Sequence, residues 1–205
     1  MRSKARILFA GATGVLGRAT LAHLRRYDVV ALTRSTEKRH LLDELGAKSI
    51  VCDVYDYEHL LGIAQRVRPD AIVNFVTDLA AGSSTANNRA RREGGANLLE
   101  VATATGASRL IVESVAFELA AEAGRAVDQL EKSAEGFSRE ALILRFGRLW
   151  GPATGYDAPP RPPTVHIEEA GAQAAHLITS GAPGTYTIID RTESTNIDVQ
   201  PTAVS

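Results

Sequence analysis

Short β-rich apolar runs alternate with longer segments of helical periodicity along almost the whole chain, and this most constrains the fold. The strand candidates are RILFA (6–10), DVVALT (28–33), SIVC (49–52), AIVNFV (71–76), RLIVES (109–114), ALILRF (141–146) and TYTIID (185–190). Most are continuously apolar rather than alternating, as strands covered on both faces are. Helical stretches fall at 15–26, 36–45, 56–67, 83–105, 118–136 and 167–179. In the first of them Leu16, Leu21 and Leu24 share one face. Strict strand–helix alternation joins parallel strands through right-handed crossovers. The expectation is an α/β fold, a doubly wound parallel sheet of the Rossmann type, in one domain over residues 1–190.

Two segments break the rhythm. GPATGYDAPPRPPTV (151–165) is rich in proline and glycine and reads as a loop. RTESTNIDVQPTAVS (191–205) lacks apolar periodicity and reads as a mobile tail. The composition suits a packed domain, with 44% hydrophobic and 23% charged residues over 205 positions. A net charge of −1 gives no overall field toward nucleic acid or an anionic membrane, so neither is an expected partner. The single cysteine, Cys52, can form neither an internal disulfide nor a multi-thiolate metal site, and it reads as inert core. The five histidines lack metal-ligand spacing, so no metal is expected. No apolar run approaches the ~20 residues of a membrane span, and a soluble, cytoplasmic location is the default reading.

The segment ILFAGATGVLGRA (7–19) carries the clearest functional motif. Gly11, Gly14 and Gly17 follow a strand and open a helix, where a tight turn, a close phosphate approach and close helix–strand packing all call for glycine. The helix N-terminus then offers free N–H groups and partial positive charge to a pyrophosphate. Thr13, Val15 and Leu16 belong to the same coenzyme-binding loop, and Arg18, just after Gly17, is placed to assist at a 2′-phosphate. An acid about 20 residues after the glycines would bind the ribose 2′-hydroxyl of NAD. Here the second strand ends in Thr33 and Arg34, with no acid. An arginine there suits a 2′-phosphate, so NADP is the expected coenzyme, with NAD as the alternative.

These stretches together resemble the short-chain dehydrogenase/reductase superfamily over residues 5–190. The closest likeness is to its extended and atypical branches, the NAD-dependent epimerase/dehydratase and NmrA-like proteins. ILFAGATGVLGRAT resembles the coenzyme loop; in CDVYD the resemblance places Asp53 at the adenine and Val54 beside its ring. RPDAIVNFVTDLA resembles the fourth strand, where Phe75, Val76 and Thr77 would line the coenzyme. EGGANLLEVATATGASRLIVES, LILRFGRLWGP and PPTVHIEEAGAQAAHLI resemble three later family segments in the family's order.

Family reductases use a serine after the fifth strand and a Y-x-x-x-K pair on the next helix. Ser114 matches the serine, near both coenzyme and reacting carbon, but no tyrosine lies between Tyr57 and Tyr156. Ala120 and Gly124 fall where the tyrosine and lysine would stand, and Arg91 falls where the family often carries an asparagine. Ser114 with Glu113, or Tyr156 on the loop after the sixth strand, are the remaining proton-donor candidates; His166 reads as structural. Relative to extended members, the C-terminal substrate lobe is much reduced, because only the 151–165 loop separates the sixth strand from the following helix. The resemblance further implies a homodimer paired through the helices at 83–105 and 118–136. The arginines of NNRARRE (87–93) read as a solvated face. Two functions remain open: an NADP-preferring oxidoreductase on a small carbonyl or sugar-like substrate, or a non-catalytic NADP(H)-binding sensor or partner protein.

Overall fold

A computed structural model describes residues 5–77 and 84–190. The 191–205 segment, read above as a tail, lies outside the described residues.

Seven parallel strands build the sheet: β1 (Arg6–Ala10), β2 (Asp28–Thr33), β3 (Lys48–Val51), β4 (Ala71–Asn74), β5 (Arg109–Val115), β6 (Glu140–Phe146) and β9 (Gly184–Ile188). Their order is β3-β2-β1-β4-β5-β6-β9, which reverses direction beside β1 and so makes the doubly wound sheet expected from the alternation. Each side chain's face follows the two-residue period of a strand. Ile7, Phe9, Val73 and Ile111 pack on one face with α1 (Val15–Ala22), α2 (Arg39–Glu44) and α7 (Ile167–Ser180). Leu8, Ile72, Leu110 and Val112 pack on the other with α3 (Tyr57–Val67), α5 (Gly95–Thr105) and α6 (Ala121–Glu135). Each fully buried Leu, Ile or Phe contributes roughly 1.5–3 kcal/mol over an exposed one.

Local chemistry sets the helix ends. The Asp56 carboxylate caps α3 by accepting from the His59 amide at 3.1 Å, and Arg68, in the left-handed region at φ 50°, ends it just before Pro69. The long helix expected over 83–105 is instead α4 (Ser84–Arg89), a π-helical turn at Ala90–Gly94 and α5. The widened turn changes the phase of the helix. Asn87, Asn88 and Arg91 are buried, so the solvated face read from NNRARRE is corrected: part of that stretch points inward. Only Arg89 of its arginines makes the exposed i,i+4 pair of a surface helix, to Glu93 at 2.7 Å.

A two-stranded parallel sheet, β7 (Arg148–Trp150) with β8 (Thr164–His166), was not anticipated from sequence. It clasps the base of the 151–163 loop. Asp190 anchors it, accepting hydrogen bonds from Trp150 Nε1 (2.9 Å), Thr164 Oγ1 (2.8 Å) and the His166 amide (3.1 Å). The His166 ring meets Trp150 edge-on at 4.6 Å between centroids.

Candidate functional site

At the carboxyl end of the sheet, where strand order reverses, a cleft of about 300 Å³ opens between β1, β2 and β4. Gly11, at φ 89°, turns the chain out of β1, and a methyl group there would overlap the Phe75 carbonyl. A side chain on Gly17 would collide with the Gly11 carbonyl and lie 2.7 Å from Ala12 Cα, so this glycine sets how closely α1 approaches the loop. Gly14 is the N-cap of α1 and makes no side-chain cap. The amides at the head of α1 therefore lack a side-chain cap, and Gly14 and Val15, which carry that helix start, line the cleft, as an anion site requires.

Cleft-lining residues include Gly11, Thr13, Gly14, Val15, Arg18, Thr33, Arg34, Val54, Phe75, Val76 and Thr77 from the sequence reading. Four others of that reading lie elsewhere, among them Ser114, which is not part of the lining. Leu16 turns into the core beside Phe9, and Gly17 is buried behind the loop. Asp53 is exposed outside the lining, and its carboxylate accepts from the Tyr55 amide at 3.0 Å.

Charge in the cleft is cationic. Arg18 Nε is buried without a hydrogen-bond partner. Arg34 is the middle residue of a tight turn in which the Ser35 amide donates to Thr33 Oγ1 at 3.2 Å, which fixes the direction of the chain beyond β2. Lys38, at the end of a 3₁₀ turn (Thr36–Lys38), also lines the cleft and was missed from sequence. The acid on that turn, Glu37, accepts from Ser35 Oγ at 2.5 Å and is not part of the lining. Cys52 lies at the floor, where burial, with Asp56 and Asp53, pushes its thiol up to about 11. It stays protonated and unreactive at neutral pH.

These features fit a dinucleotide. An unpartnered buried guanidinium nitrogen, a loop closed to side chains by Gly11 and Gly17, and a cationic rim form one connected surface.

Ser114 and Tyr156 are not brought together. Ser114 is 1% exposed, and its hydroxyl donates to Glu131 Oε1 on α6. Arg145 on β6 grips the same carboxylate at 2.9 and 2.5 Å. Tyr156 is 53% exposed, with its backbone bridged to Gly151, and lines neither the dinucleotide cleft nor the neighbouring groove. That groove, about 520 Å³, opens between the β5–α6 loop, α6 and β9, with Phe117, Gly124, Glu131, Arg145 and Thr187 on its walls. Gly124 stands there where the resemblance places the family lysine.

Next to Ser114, Glu113 is only partly exposed. Burial raises its carboxyl to about 7, against the lowering pull of the Arg91 guanidinium. Desolvation in turn lowers Arg91, with Glu113 opposing. Among the described residues no group of three or more His, Cys, Asp or Glu could hold a metal ion, and no helix is long and apolar enough to cross a membrane.

Comparison with known proteins agrees with this geometry. Residues 7–130 match the NAD-dependent epimerase/dehydratase family. A 3-diazoavenalumate denitrifying reductase of a Streptomyces species is 34% identical over 183 residues, covering 74% of this chain and 58% of that protein. The chain thus spans less than two thirds of this relative's length. Among solved structures, Bordetella bronchiseptica WbmH in complex with NAD+ superposes with a TM-score of 0.75 at 14% identity, covering 92% of this chain and 76% of that one. An NAD-dependent epimerase/dehydratase from Bacillus halodurans, so described provisionally, gives 0.74 at 20% identity, covering 89% and 92%. The UDP-Glc/GlcNAc 4-epimerase of Campylobacter jejuni gives 0.73 at 16%, covering 90% and 78%. At these identities the structures speak for the shared fold, and the family match over residues 7–130 adds the lineage: the chain belongs to the NAD-dependent epimerase/dehydratase family.

Proposed function

We propose that the chain is an NADP(H)-preferring oxidoreductase that reduces a small carbonyl or sugar-like substrate. The observation that carries this reading is the convergence of Arg18, Arg34 and Lys38 on a cleft whose lining holds no carboxylate. Guanidinium groups pair bidentately with phosphate oxygens, while an acid at the end of β2 would repel a 2′-phosphate and hold a 2′-hydroxyl instead. Gly11, Gly14 and the head of α1 would hold the pyrophosphate; Val54, Phe75, Val76 and Thr77 would line the rings. When bound, the reduced coenzyme supplies a hydride to the substrate carbon. Orientation of two bound reactants can itself supply a large part of a rate enhancement. The relative named as a denitrifying reductase supports reduction as the direction of the chemistry.

A second reading is a non-catalytic NADP(H)-binding sensor or partner. Two observations favour it: the absent Y-x-x-x-K pair and the commitment of the Ser114 hydroxyl to Glu131. Fluorescence titration with NADPH and NADH, followed by a screen for loss of 340 nm absorbance, separates the two. The screen includes small aldehydes, ketones and 3-diazoavenalumate. Tight NADPH binding with turnover supports the reductase; tight binding without turnover on the whole panel supports the sensor. The homodimer implied by the family resemblance would pair α5 and α6, and a monomer mass by light scattering would dispose of it.

A further inference from the structure

The groove beside the dinucleotide cleft opens at the carboxyl ends of β5 and β6. β5 is the hydrogen-bonded neighbour of β4, whose end carries the cleft-lining Phe75, Val76 and Thr77. The groove's volume of about 520 Å³ falls within the range of small-molecule sites, roughly 300–1,000 Å³. Val115, Phe117, Leu119 and Val127 make one side of it apolar, and Phe117 is the one aromatic ring among the described lining residues. That ring is held from outside the groove. The Arg148 guanidinium on β7 sits 4.0 Å from the Phe117 centroid, and its Nη1 donates to the carbonyls of Arg161 (3.2 Å) and Pro162 (3.0 Å). Arg148 does not line the groove, so the ring has a charged backing on one side and the groove on the other. Gly124, in the first turn of α6, belongs to the same wall. Its backbone is not left-handed, and a methyl group there would meet nothing nearer than the Leu119 carbonyl oxygen at 3.8 Å. Glycine weakens a helix relative to alanine, and neither a turn nor close packing calls for it here. What it leaves is open space in the groove.

We propose that this groove takes the aryl group of an aromatic carbonyl substrate. Phe117 is the platform on which the substrate ring stacks, Arg148 positions Phe117, and Gly124 is the gap that admits the ring. The proposal rests on the reductase reading of the previous subsection and narrows its small carbonyl to an aryl aldehyde or ketone. Offset or edge contact between aromatic rings adds to area burial what a saturated ring of the same size does not gain. Because Arg148 already fixes Phe117, the platform is ordered before the substrate arrives, and binding does not have to order it. In the reaction the carbonyl carbon takes the hydride, the C=O π pair moves onto oxygen, and solvent reaching the groove supplies the proton.

Isothermal titration of the full chain, with and without NADPH, tests the platform without turnover. The probes are benzamide and cyclohexanecarboxamide, which share a polar group and a ring size and do not accept hydride. Benzamide is expected to bind about three- to tenfold more tightly. Phe117→Leu, with NADPH affinity unchanged, removes the difference. Arg148→Met narrows it, and Arg148→Lys, which keeps a cation behind the ring, restores part of it. Gly124→Leu fills the gap and blocks both amides, with the fold by circular dichroism and the NADPH affinity of wild type. Should Phe117→Leu lose its fold, Phe117→Met takes its place with the same expectation. Equal affinity for the two amides, a difference that survives Phe117→Leu, or no binding of either amide overturns the proposal. NADPH oxidation with benzaldehyde and with cyclohexanecarbaldehyde separates the proposal from the reductase reading. A lower KM for benzaldehyde that rises in Phe117→Leu, with kcat little changed, supports both. Equal kcat/KM for the two aldehydes overturns the aryl substrate and leaves the reductase reading standing. A preference for benzamide with no NADPH oxidation by either aldehyde overturns the reductase reading and leaves Phe117 as the platform of an aryl-binding site.

Discussion

Ser114 gives its hydroxyl hydrogen to Glu131, and Arg145 clamps the same carboxylate from the neighbouring strand through two nitrogens at 2.9 and 2.5 Å. The serine at the family's catalytic position is thereby tied into a buried network joining β5, β6 and α6. A hydroxyl engaged in this way stabilises the packing of α6 on the sheet more directly than it serves a substrate. Ser114→Ala is expected to lower stability by about 1–3 kcal/mol, the cost of an unmet buried acceptor, and to leave NADPH affinity unchanged. Denaturant titration beside a fluorescence binding curve checks both halves. A large loss of turnover with unchanged stability would return the serine to a catalytic role.

Lys38 shares the rim with Arg18 and Arg34. If these three hold a 2′-phosphate, each removed cation weakens NADPH alone. Lys38→Ala and Arg34→Ala are each expected to raise the NADPH Kd about tenfold, equivalent to ~1.4 kcal/mol, with the NADH Kd unmoved. Adding an acid in Thr33→Asp/Arg34→Ala is expected to reverse the preference toward NADH. Parallel loss of both coenzymes would mean that the cations only shape the loop.

Glu113 gives a pH signature in stability. Its carboxyl is raised from 4.5 to about 7 in the folded chain. The folded state therefore binds more protons than the unfolded state between those values. Its contribution is full below about pH 4.5 and is lost as pH rises through about 7. Glu113→Gln, which stays neutral, is expected to flatten that decline, by on the order of 1–3 kcal/mol across the window. Urea titrations at pH 5 and pH 8 measure it. Identical pH slopes for variant and wild type would show an ordinary carboxylate.

Asp190 joins the small β7–β8 sheet to the end of β9. Burial works to raise its carboxyl, yet hydrogen bonds from Trp150, Thr164 and the His166 amide together hold it below the usual range. Asp190→Ala strands three donors at once and is expected to destabilise the 151–163 loop base. Faster proteolytic cleavage in that loop, with the coenzyme cleft still binding NADPH, is the predicted outcome. Unchanged cleavage would contradict it.

Much of the architecture is legible in the sequence because it depends on local pattern. β1, β2 and β6 are continuous apolar runs, and the structure pairs them over nearly the residues read from the sequence. The glycine loop is legible for the same reason: Gly11 and Gly17 answer steric demands set within a few residues. The rest depends on partners distant in sequence. Arg91 reads as one of three surface arginines until the π-helical turn rotates it out of the exposed face and the packed domain buries it. Lys38 reaches the cleft only because a 3₁₀ turn folds back after β2. The β7–β8 sheet consists of three-residue strands, too short to show a period, and it is held by an aspartate 24 residues beyond His166.

The central claim is that the cleft beside Gly11 holds a dinucleotide and prefers the one with a 2′-phosphate. Fluorescence titration of the protein with NADPH and NADH, side by side at one ionic strength, tests it most directly. The predicted result is saturable binding of both, with NADPH at least tenfold tighter, about 1.4 kcal/mol, and the difference shrinking as salt screens the cationic rim. NADH binding as tightly as NADPH, or neither binding, would contradict it.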